Sequence, residues 1–162
     1  MPIRSYEARD RAACLAIFDS NCPPYFDPSE RALLTGWLDA RESGALRHAT
    51  SLVERFLVLE RAGAVLACGG FYVLRARPQA SMVWGMVHRA HHREGLGREL
   101  LLERVERVAS EFPTCAIVLD TSQHTAPFFE RLGFRVTSRK PDGYGPGLDR
   151  IDMERRAAPP AQ

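Results

Sequence analysis

The feature that most constrains the fold is a strand, a polar turn and a long helix that follow one another between residues 81 and 112. Residues 81–88 are mainly apolar and predict a strand, whereas the periodic apolar pattern over residues 95–112 predicts the longest helix of the chain. Gly95 and Gly97 open this helix. The first amides of a helix have no intrahelical acceptors, and glycines let a bulky anion approach them. The segment therefore predicts either a phosphate-binding turn or a strand-to-helix turn without a ligand.

Two familiar phosphate-binding loops do not fit this turn. A P-loop needs Gly-Lys-Ser or Gly-Lys-Thr, and the chain contains neither tripeptide. A dinucleotide-binding fingerprint needs glycine or alanine three residues after its second glycine, but Leu100 occupies that position. Any phosphate-bearing ligand of this turn therefore belongs to another class.

Length and composition indicate a single domain. The chain has 162 residues, of which 45% are hydrophobic and 26% charged, which suffices for one sizeable core. We expect this domain to cover residues 1–156, followed by a disordered tail over residues 157–162. The formal net charge is only +2, with basic and acidic residues interleaved. We therefore expect binding neither to nucleic acid nor to membranes.

The cysteines and the N-terminal region favour a cytoplasmic protein. The four cysteines show no Cys-x-x-Cys spacing and lie in or beside apolar stretches: Cys14, Cys22, Cys68 and Cys115. Unpaired cysteines of this kind suit a reducing compartment. The chain starts without a basic-then-apolar signal pattern, and no apolar run approaches the roughly 20 residues that span a bilayer.

Three histidines raise the question of a metal site. His88, His91 and His92 have the spacing of ligands on one helical face. They precede the predicted helix, however, and no cysteine or carboxylate completes a ligand set. We therefore expect no bound metal.

The rest of the chain predicts further strands and helices. A strand, two helices and two strands precede the strand over residues 81–88. A strand, a helix and two strands follow the long helix. Asp10 is the predicted N-cap of the first helix. Polar residues 41–51 predict a flexible loop, and the Gly/Pro-rich residues 142–147 predict another. The unbroken apolar run over residues 115–119 predicts a strand buried on both faces.

Two segments resemble motifs of the GNAT superfamily of acyl-CoA N-acyltransferases. The run from His92 to Gly97 is similar to the family's cofactor motif, Arg/Gln-x-x-Gly-x-Gly/Ala, with His92 in the first position and Arg93 beside it as a substitute positive charge. The run from Phe128 to Phe134 resembles the family's helix that ends in aromatic-Glu-Lys/Arg-x-Gly-Phe. Together with the first strand and helix, the resemblance covers residues 3–155.

The resemblance implies a fold and a co-substrate. The fold is a mixed α/β fold, with about four helices and a mostly antiparallel, twisted sheet of about seven strands that splays between strands 4 and 5. The co-substrate is acetyl-CoA, whose pantetheine arm lies in that splay in this family, and an amide near Met86 would polarise its thioester. The cofactor-binding residues implied are Met86, Val87, His88, His92, Arg93, Glu94, Gly95, Leu96, Gly97, Arg98 and Phe129.

The resemblance also implies direct attack of a neutral amine on the thioester, which needs a base for the ammonium and is helped by an acid for the thiolate. The family often places this acid as a tyrosine where the present chain has Phe129. His124, at the start of the same helix, and Tyr144, before the last strand, are the candidate catalytic substitutes. A histidine in a helix's first turn is also typical of a merely solvated side chain.

Four residues are candidates for the acceptor site. Tyr25 and Phe26 follow two prolines on a stiff loop, which fits a pocket wall and fits packing beneath the loop equally well. Asp120 and Ser122 follow the carboxyl end of a buried strand, where they either line the pocket or cap the next helix. The expected acceptor is an amine of a small molecule or a peptide.

The sequence thus predicts an N-acetyltransferase that acts in a ternary complex. The alternative is a non-catalytic acyl-CoA-binding sensor or regulatory module of the same fold, which the missing tyrosine permits. Formation of a homodimer is left open.

Overall fold

The computed structural model describes residues 2–157, which form one seven-stranded sheet covered by helices. The strands are β1 (Ile3–Ser5), β2 (Ser51–Arg61), β3 (Ala64–Leu74), β4 (Gln79–Val87), β5 (Ala116–Thr121), β6 (Arg135–Gly145) and β7 (Leu148–Arg155). The α-helices in this part of the chain are α1 (Arg11–Ser20), α2 (Arg31–Ser43), α3 (Leu96–Glu111) and α4 (Ala126–Glu130). The expected mixed α/β fold is confirmed.

The sheet is splayed in its middle. Its order is β1-β2-β3-β4-β5-β7-β6, and only the β4–β5 pair is parallel. This pair joins residues 79–81 of β4 to residues 116–118 of β5. Beyond those residues β4 continues to Val87 and β5 to Thr121 without pairing to each other. The two strands thus diverge and leave a cleft between them, as predicted.

The two faces of the sheet are buried under different helices. On one face, Leu101 and Val108 of α3 pack with Phe71 of β3. On the other face, α1 and α2 pack against Cys68 of β3 and Met86 of β4. This division follows from the alternation of side chains along each strand. Each large apolar side chain buried in this way contributes about 1.5–3 kcal/mol, so both layers hold the cleft's walls in place.

β4 is irregular where it leaves β5. Trp84 has a φ angle of 52°, and the register between β3 and β4 shifts between Cys68 and Gly70. A positive φ is uncommon for a residue other than glycine, and a bulge of this kind changes the direction in which the following backbone groups point. The backbone groups at the end of β4 therefore point in a different direction from those at its start.

Asp10 stands directly before α1, at the predicted N-cap position, but its side chain makes no capping hydrogen bond to this helix. A 3-10 turn, Ala8–Asp10, leads into α1. The Asp10 carboxylate, 4% exposed, instead accepts hydrogen bonds from the Arg4 guanidinium at 2.8 and 2.9 Å and from the Glu7 amide at 2.8 Å. The Asp10 side chain thus pairs with Arg4 of β1 rather than with the backbone amides of α1.

The expected flexible loop over residues 41–51 is more ordered than its composition predicts. α2 continues to Ser43 and ends at Gly44, whose φ angle of 73° suits a glycine. The buried Glu54 carboxylate then accepts hydrogen bonds from the amides of Arg47 (2.5 Å) and His48 (3.2 Å). A carboxylate on β2 therefore fixes the polar segment that precedes it.

The other predicted loop, residues 142–147, is mostly strand, which corrects the expectation. β6 continues to Gly145, which pairs with Leu148. The Asp142 carboxylate accepts a hydrogen bond from the Gly147 amide at 2.7 Å and closes the short connection to β7. Tyr144 consequently stands on β6 rather than in a loop.

Of the predicted tail, only residue 157 lies among the described residues, so the predicted disorder stays a prediction. Within residues 2–157, no helix is long and apolar enough to cross a bilayer.

Candidate active site

The end of β4 turns one carbonyl group into the cleft. The His88 amide donates to the Leu66 carbonyl of β3 at 2.8 Å. Because successive backbone groups of a strand point to opposite sides, the amide and carbonyl of Val87 face away from β3, towards the cleft. The Val87 carbonyl accepts hydrogen bonds from Asn21 Nδ2 at 2.8 Å and from His92 Nε2 at 3.0 Å. His92 Nε2 therefore carries a proton.

A run of unpaired amides lies beside this carbonyl, at the start of α3. The His92 amide donates to the Arg89 carbonyl at 3.3 Å, and the Glu99 amide donates to the Gly95 carbonyl at 3.0 Å. Among the hydrogen bonds of residues 2–157, none is donated by an amide of residues 93–98. These amides stand at the positive end of the α3 dipole, which suits an anionic ligand.

Both glycines of this turn have a structural reason. Gly95 has a φ angle of 83°, in the left-handed region that favours glycine. A Cβ atom added at Gly97 would lie 3.5 Å from Val87 Cγ2 and 3.7 Å from Phe128 Cζ. Gly97 therefore faces the cleft between the end of β4 and α4. A methyl group fits there, whereas a longer side chain would fill the space in front of the amides.

On the other side of the cleft, a tyrosine and a carboxylate are paired. The Tyr144 hydroxyl on β6 donates a hydrogen bond to the Asp120 carboxylate at the end of β5, and Arg150 approaches Asp120 at 3.8 Å. Burial, and then the Asp120 charge, raise the pKa of Tyr144 far above its ordinary 10.0. Tyr144 thus stays protonated at neutral pH, and its oxygen has a lone pair left for a donor such as an ammonium group.

Glu30, just before α2, adds a second carboxylate to this side. Burial raises the pKa of Glu30, and the charges of Asp27 and Asp120 add to that rise, against a hydrogen bond from the Asp27 amide at 2.8 Å. A carboxylate with a raised pKa is a stronger base than an ordinary one. Glu30 therefore has the property that a proton acceptor in this cleft needs.

Tyr25 connects the two sides. Its ring centroid lies 5.3 Å from that of His92 and 5.9 Å from that of His124, edge to face in both cases. Phe26 instead packs on Phe18 and Trp84, at 5.1 and 6.2 Å. Tyr25 thus stands at the cleft, whereas Phe26 lies beneath the loop.

The cleft thus has a row of unpaired amides on one side and proton-accepting groups on the other. A family model described as an acetyltransferase (GNAT) domain matches residues 53–136, slightly more than half of the chain. This chain belongs to the GNAT family. Its match includes the splayed strands, the amide row and α4, so the predicted resemblance is confirmed.

Solved structures share the GNAT fold along nearly the whole chain. A GNAT-family structure from Desulfovibrio desulfuricans is 23% identical, with a TM-score of 0.76, and the match covers 96% of this chain and 98% of the other. The ribosomal-protein-S18-alanine N-acetyltransferase from Escherichia coli is 20% identical, with a TM-score of 0.74 and coverage of 99% and 96%. YncA from Salmonella typhimurium, solved with its cofactor acetyl-CoA, is 23% identical, with a TM-score of 0.71 and coverage of 99% and 95%. No curated protein sequence matches the chain at a significant level.

The residues that the GNAT motif nominated do not all contribute in the same way. The backbone of residues 93–98 lies together at the cleft with Val87, whereas the amides of His88 and His92 already have backbone acceptors. The Met86 side chain is buried towards α1 and α2. Phe129 packs on Phe134 at 5.9 Å, and its neighbour Phe128 is the ring that faces Gly97.

Ser122 and His124, two other predicted site residues, lie in different environments. The Ser122 side chain is buried, and its hydroxyl accepts a hydrogen bond from the His124 amide at 3.3 Å, so Ser122 shapes the turn into α4. The His124 side chain is exposed and touches the cleft through Tyr25. Within residues 2–157, no three histidine, cysteine or carboxylate side chains group as metal ligands would.

Sequence reasoning missed three residues of this GNAT cleft, Asn21, Glu30 and Phe128. Glu30 had a visible signal, an acidic residue in a helix's first turn, but the helix dipole explains that signal equally well. Asn21 stands beside a proline pair, where a polar residue is ordinary. Which of two adjacent phenylalanines faces the cleft depends on the exact phase of a short helix.

Proposed function

We propose that this GNAT protein transfers the acetyl group of acetyl-CoA to a primary amine by direct attack in a ternary complex. The observation that carries the proposal is the row of unpaired amides over residues 93–98, which opens onto the cleft past Gly97. A helix N-terminus with free amides suits a diphosphate, because several donors and the helix dipole act on the same anion.

The cleft also fits the arm of coenzyme A. An extended chain with amide groups can lie along the unpaired edge of β4, where the Val87 carbonyl offers an acceptor. Both lone pairs of that carbonyl are in use, by the buried Asn21 and by His92, which stands on a loop. An amide of pantetheine would replace the His92 hydrogen bond, since the loop side chain is the easier one to move.

The proton transfers can be assigned to groups in the cleft. The acceptor arrives as an ammonium ion, and Glu30 is our candidate for the base that takes its proton. Tyr144 is our candidate for orienting the amine, since its hydroxyl proton is committed to Asp120 while its oxygen stays available. The nitrogen then bonds to the carbonyl carbon, the carbon–sulfur bond breaks, and sulfur leaves with the electron pair. The nitrogen gives up a second proton as the amide forms, which balances the proton that the thiolate takes up. Of the two candidate donors for the proton that the thiolate takes up, Tyr144 has its proton held by Asp120, so His124 is the candidate that remains.

The acceptor side favours a cationic substrate. Three carboxylates, Asp27, Glu30 and Asp120, lie around Tyr144 with one neighbouring cation, Arg150, so negative charge exceeds positive charge on this side of the cleft. Tyr25 and Asp120 are the proposed acceptor contacts, and both a small-molecule amine and the amino terminus of a peptide suit them. The Escherichia coli relative, named for a ribosomal-protein alanine, supports including peptides in a search.

The second candidate function is that of an acyl-CoA-binding module without turnover. It is favoured by Phe129, which packs on Phe134 and supplies no hydroxyl where the family often has a tyrosine. Such a protein would bind acetyl-CoA with the same amides and release no thiol.

A thiol-release assay distinguishes the two functions. Acetyl-CoA is incubated with the protein and a panel of diamines, amino sugars, amino-acid amides and short peptides, and free coenzyme A is measured. Calorimetry with acetyl-CoA runs in parallel. Amine-dependent thiol release supports the transferase. Cofactor binding with no release from any amine favours the binding module, and absence of acetyl-CoA binding refutes both.

A further inference from the structure

α3 buries a positive charge beneath the sheet. The Arg104 side chain is 3% exposed, and its Nη1 donates to the Gly70 carbonyl at 3.1 Å and its Nε to the Leu100 carbonyl at 3.4 Å. Within residues 2–157, neither the hydrogen bonds nor the ion pairs of Arg104 include a carboxylate. Arg104 is therefore a buried cation with no counter-ion.

Such a charge is expensive to keep. An ion removed from water without a partner costs several kcal/mol, and an apolar side chain of similar length would avoid that cost. Burial lowers the pKa of Arg104 to about 10, which still leaves it protonated at neutral pH. A cost of this kind is typical of groups that serve function rather than stability.

The charge lies against the part of β4 that leaves β5. A Cβ atom added at Gly69 would lie 2.9 Å from Arg104 Cζ, and one added at Gly85 would lie 2.8 Å from Arg104 Nη2. Two glycines on adjacent strands thus make room for one guanidinium. Gly85 directly follows Trp84, the residue with positive φ, in the segment that lines the cleft.

One other titratable group affects the pKa of Arg104, namely Cys68 of β3, whose side chain is buried on the opposite face of the sheet, against α1 and α2. A hydrogen bond with Cys14, and burial, raise the pKa of Cys68 well above its ordinary 9.0. Cys68 therefore stays neutral near physiological pH and does not cancel the charge of Arg104.

We propose that Arg104 is a positioning residue whose buried charge holds the bulge of β4 and favours negative charge on the thioester oxygen and on the departing sulfur. The inference rests on the proposed function and on a thioester that lies near Met86, as the GNAT resemblance implies. A fixed charge in a site of low dielectric stabilises an anion far more than the same charge in water, and it needs no rearrangement during the reaction.

The test compares coenzyme A with acetyl-CoA, because only the free thiol can become an anion. Calorimetry measures both affinities at several pH values up to about 9, around the ordinary thiol pKa of about 8.5. In the wild type we expect the affinity for coenzyme A to rise with pH and that for acetyl-CoA to stay level. Arg104→Met should reduce that rise at least about tenfold while acetyl-CoA affinity changes less than about twofold, and Arg104→Lys should keep most of it.

Controls keep the test decisive. Arg107→Met removes one positive charge from the outer side of α3 and should leave the rise intact. If Arg104→Met fails to fold, Arg104→Gln replaces it, since an amide can still donate to the Gly70 carbonyl. A folded neutral variant with the wild-type rise overturns the role of Arg104. A wild type that binds no acetyl-CoA overturns the proposed function, and the inference with it.

Discussion

Asn21, directly after α1, donates a hydrogen bond from Nδ2 to the carbonyl oxygen of Val87 at the end of β4, over 2.8 Å. The same nitrogen donates to the Ile17 carbonyl at 2.9 Å, and the Asn21 carbonyl accepts from the Tyr25 amide at 2.9 Å. One buried residue thus joins the two sides of the cleft, because its side chain bonds to Val87 on the cofactor side and its backbone carbonyl bonds to Tyr25 on the acceptor side.

Asn21→Ala removes the side-chain hydrogen bonds to the carbonyl groups of Ile17 and Val87 and leaves each with one donor fewer. We expect the free energy of unfolding to fall by about 1–3 kcal/mol, since buried groups lose their partners. We also expect the KM for the amine to rise more than the KM for acetyl-CoA, because the backbone of residue 21, which bonds to the Tyr25 amide, is no longer anchored to β4. Asn21→Asp keeps the shape but cannot donate, so it should be at least as harmful. Wild-type melting and kinetics in both variants would contradict the coupling.

Glu30→Gln tests the proposed base. The stability that a raised carboxylate pKa contributes is fully present below the unfolded value of 4.5 and is lost as pH rises through the folded value. At neutral pH the ionised Glu30 therefore lowers the free energy of unfolding. The variant should therefore fold at least as well as the wild type while kcat falls by about 10²–10⁴-fold. The rise of kcat with pH on the acid side should disappear. Glu106→Gln, on the exposed face of α3, is the control, and equal kcat values in the two variants would exclude Glu30 as the base.

Tyr144→Phe and His124→Ala separate the two residues that sequence reasoning nominated. Tyr144→Phe removes the hydroxyl that is bonded to Asp120, so we expect kcat/KM for the amine to fall at least about tenfold. His124 is exposed and reaches the cleft only through Tyr25, so His124→Ala should change kcat less than about threefold. A larger loss in His124→Ala than in Tyr144→Phe, measured by thiol release, would reverse the assignment.

Asp10→Asn tests the ion pair that replaced the predicted helix cap. The hydrogen bonds from Arg4 hold the pKa of Asp10 below its ordinary 3.8. A lowered pKa gives stability that is fully present above 3.8 and is lost as pH falls through the folded value, so the variant should be less stable by about 1–3 kcal/mol at neutral pH. Denaturant melts at several pH values should show this difference shrinking below pH 3.8. A difference that does not change with pH would mean that the Arg4–Asp10 pair is not its source.

The sequence predicted the parts of this protein that depend on local pattern. Gly95 and Gly97 marked the start of α3, and residues 115–119 marked β5, because both signals are read within a few residues. Only one face of β5 is fully buried, however, since Ala116 and Val118 are partly exposed. These elements, with the motif around Phe134, were enough to predict the GNAT fold and the splay between β4 and β5.

The rest depends on contacts between residues far apart in the chain. Arg4 takes the Asp10 side chain from the helix end, and Glu54 orders a polar segment that looked flexible. Asn21 has its role because its side chain reaches Val87 of another element. Arg104 has its role because two glycines on neighbouring strands make room for its guanidinium. No local pattern carries such information, so these roles became visible only in three dimensions.

The central claim is that the amides at the start of α3 bind the diphosphate of acetyl-CoA across Gly97. Calorimetric titration of acetyl-CoA into wild type, Gly97→Ala, Gly97→Glu and Ala109→Glu tests it most directly. Ala109 is an exposed residue near the other end of α3, so its variant adds the same charge away from the cleft. We expect the wild type, Gly97→Ala and Ala109→Glu to bind acetyl-CoA with similar affinity, because a methyl group at Gly97 meets only ordinary contacts. Gly97→Glu, still folded, should show no binding; wild-type affinity in that variant would contradict the claim.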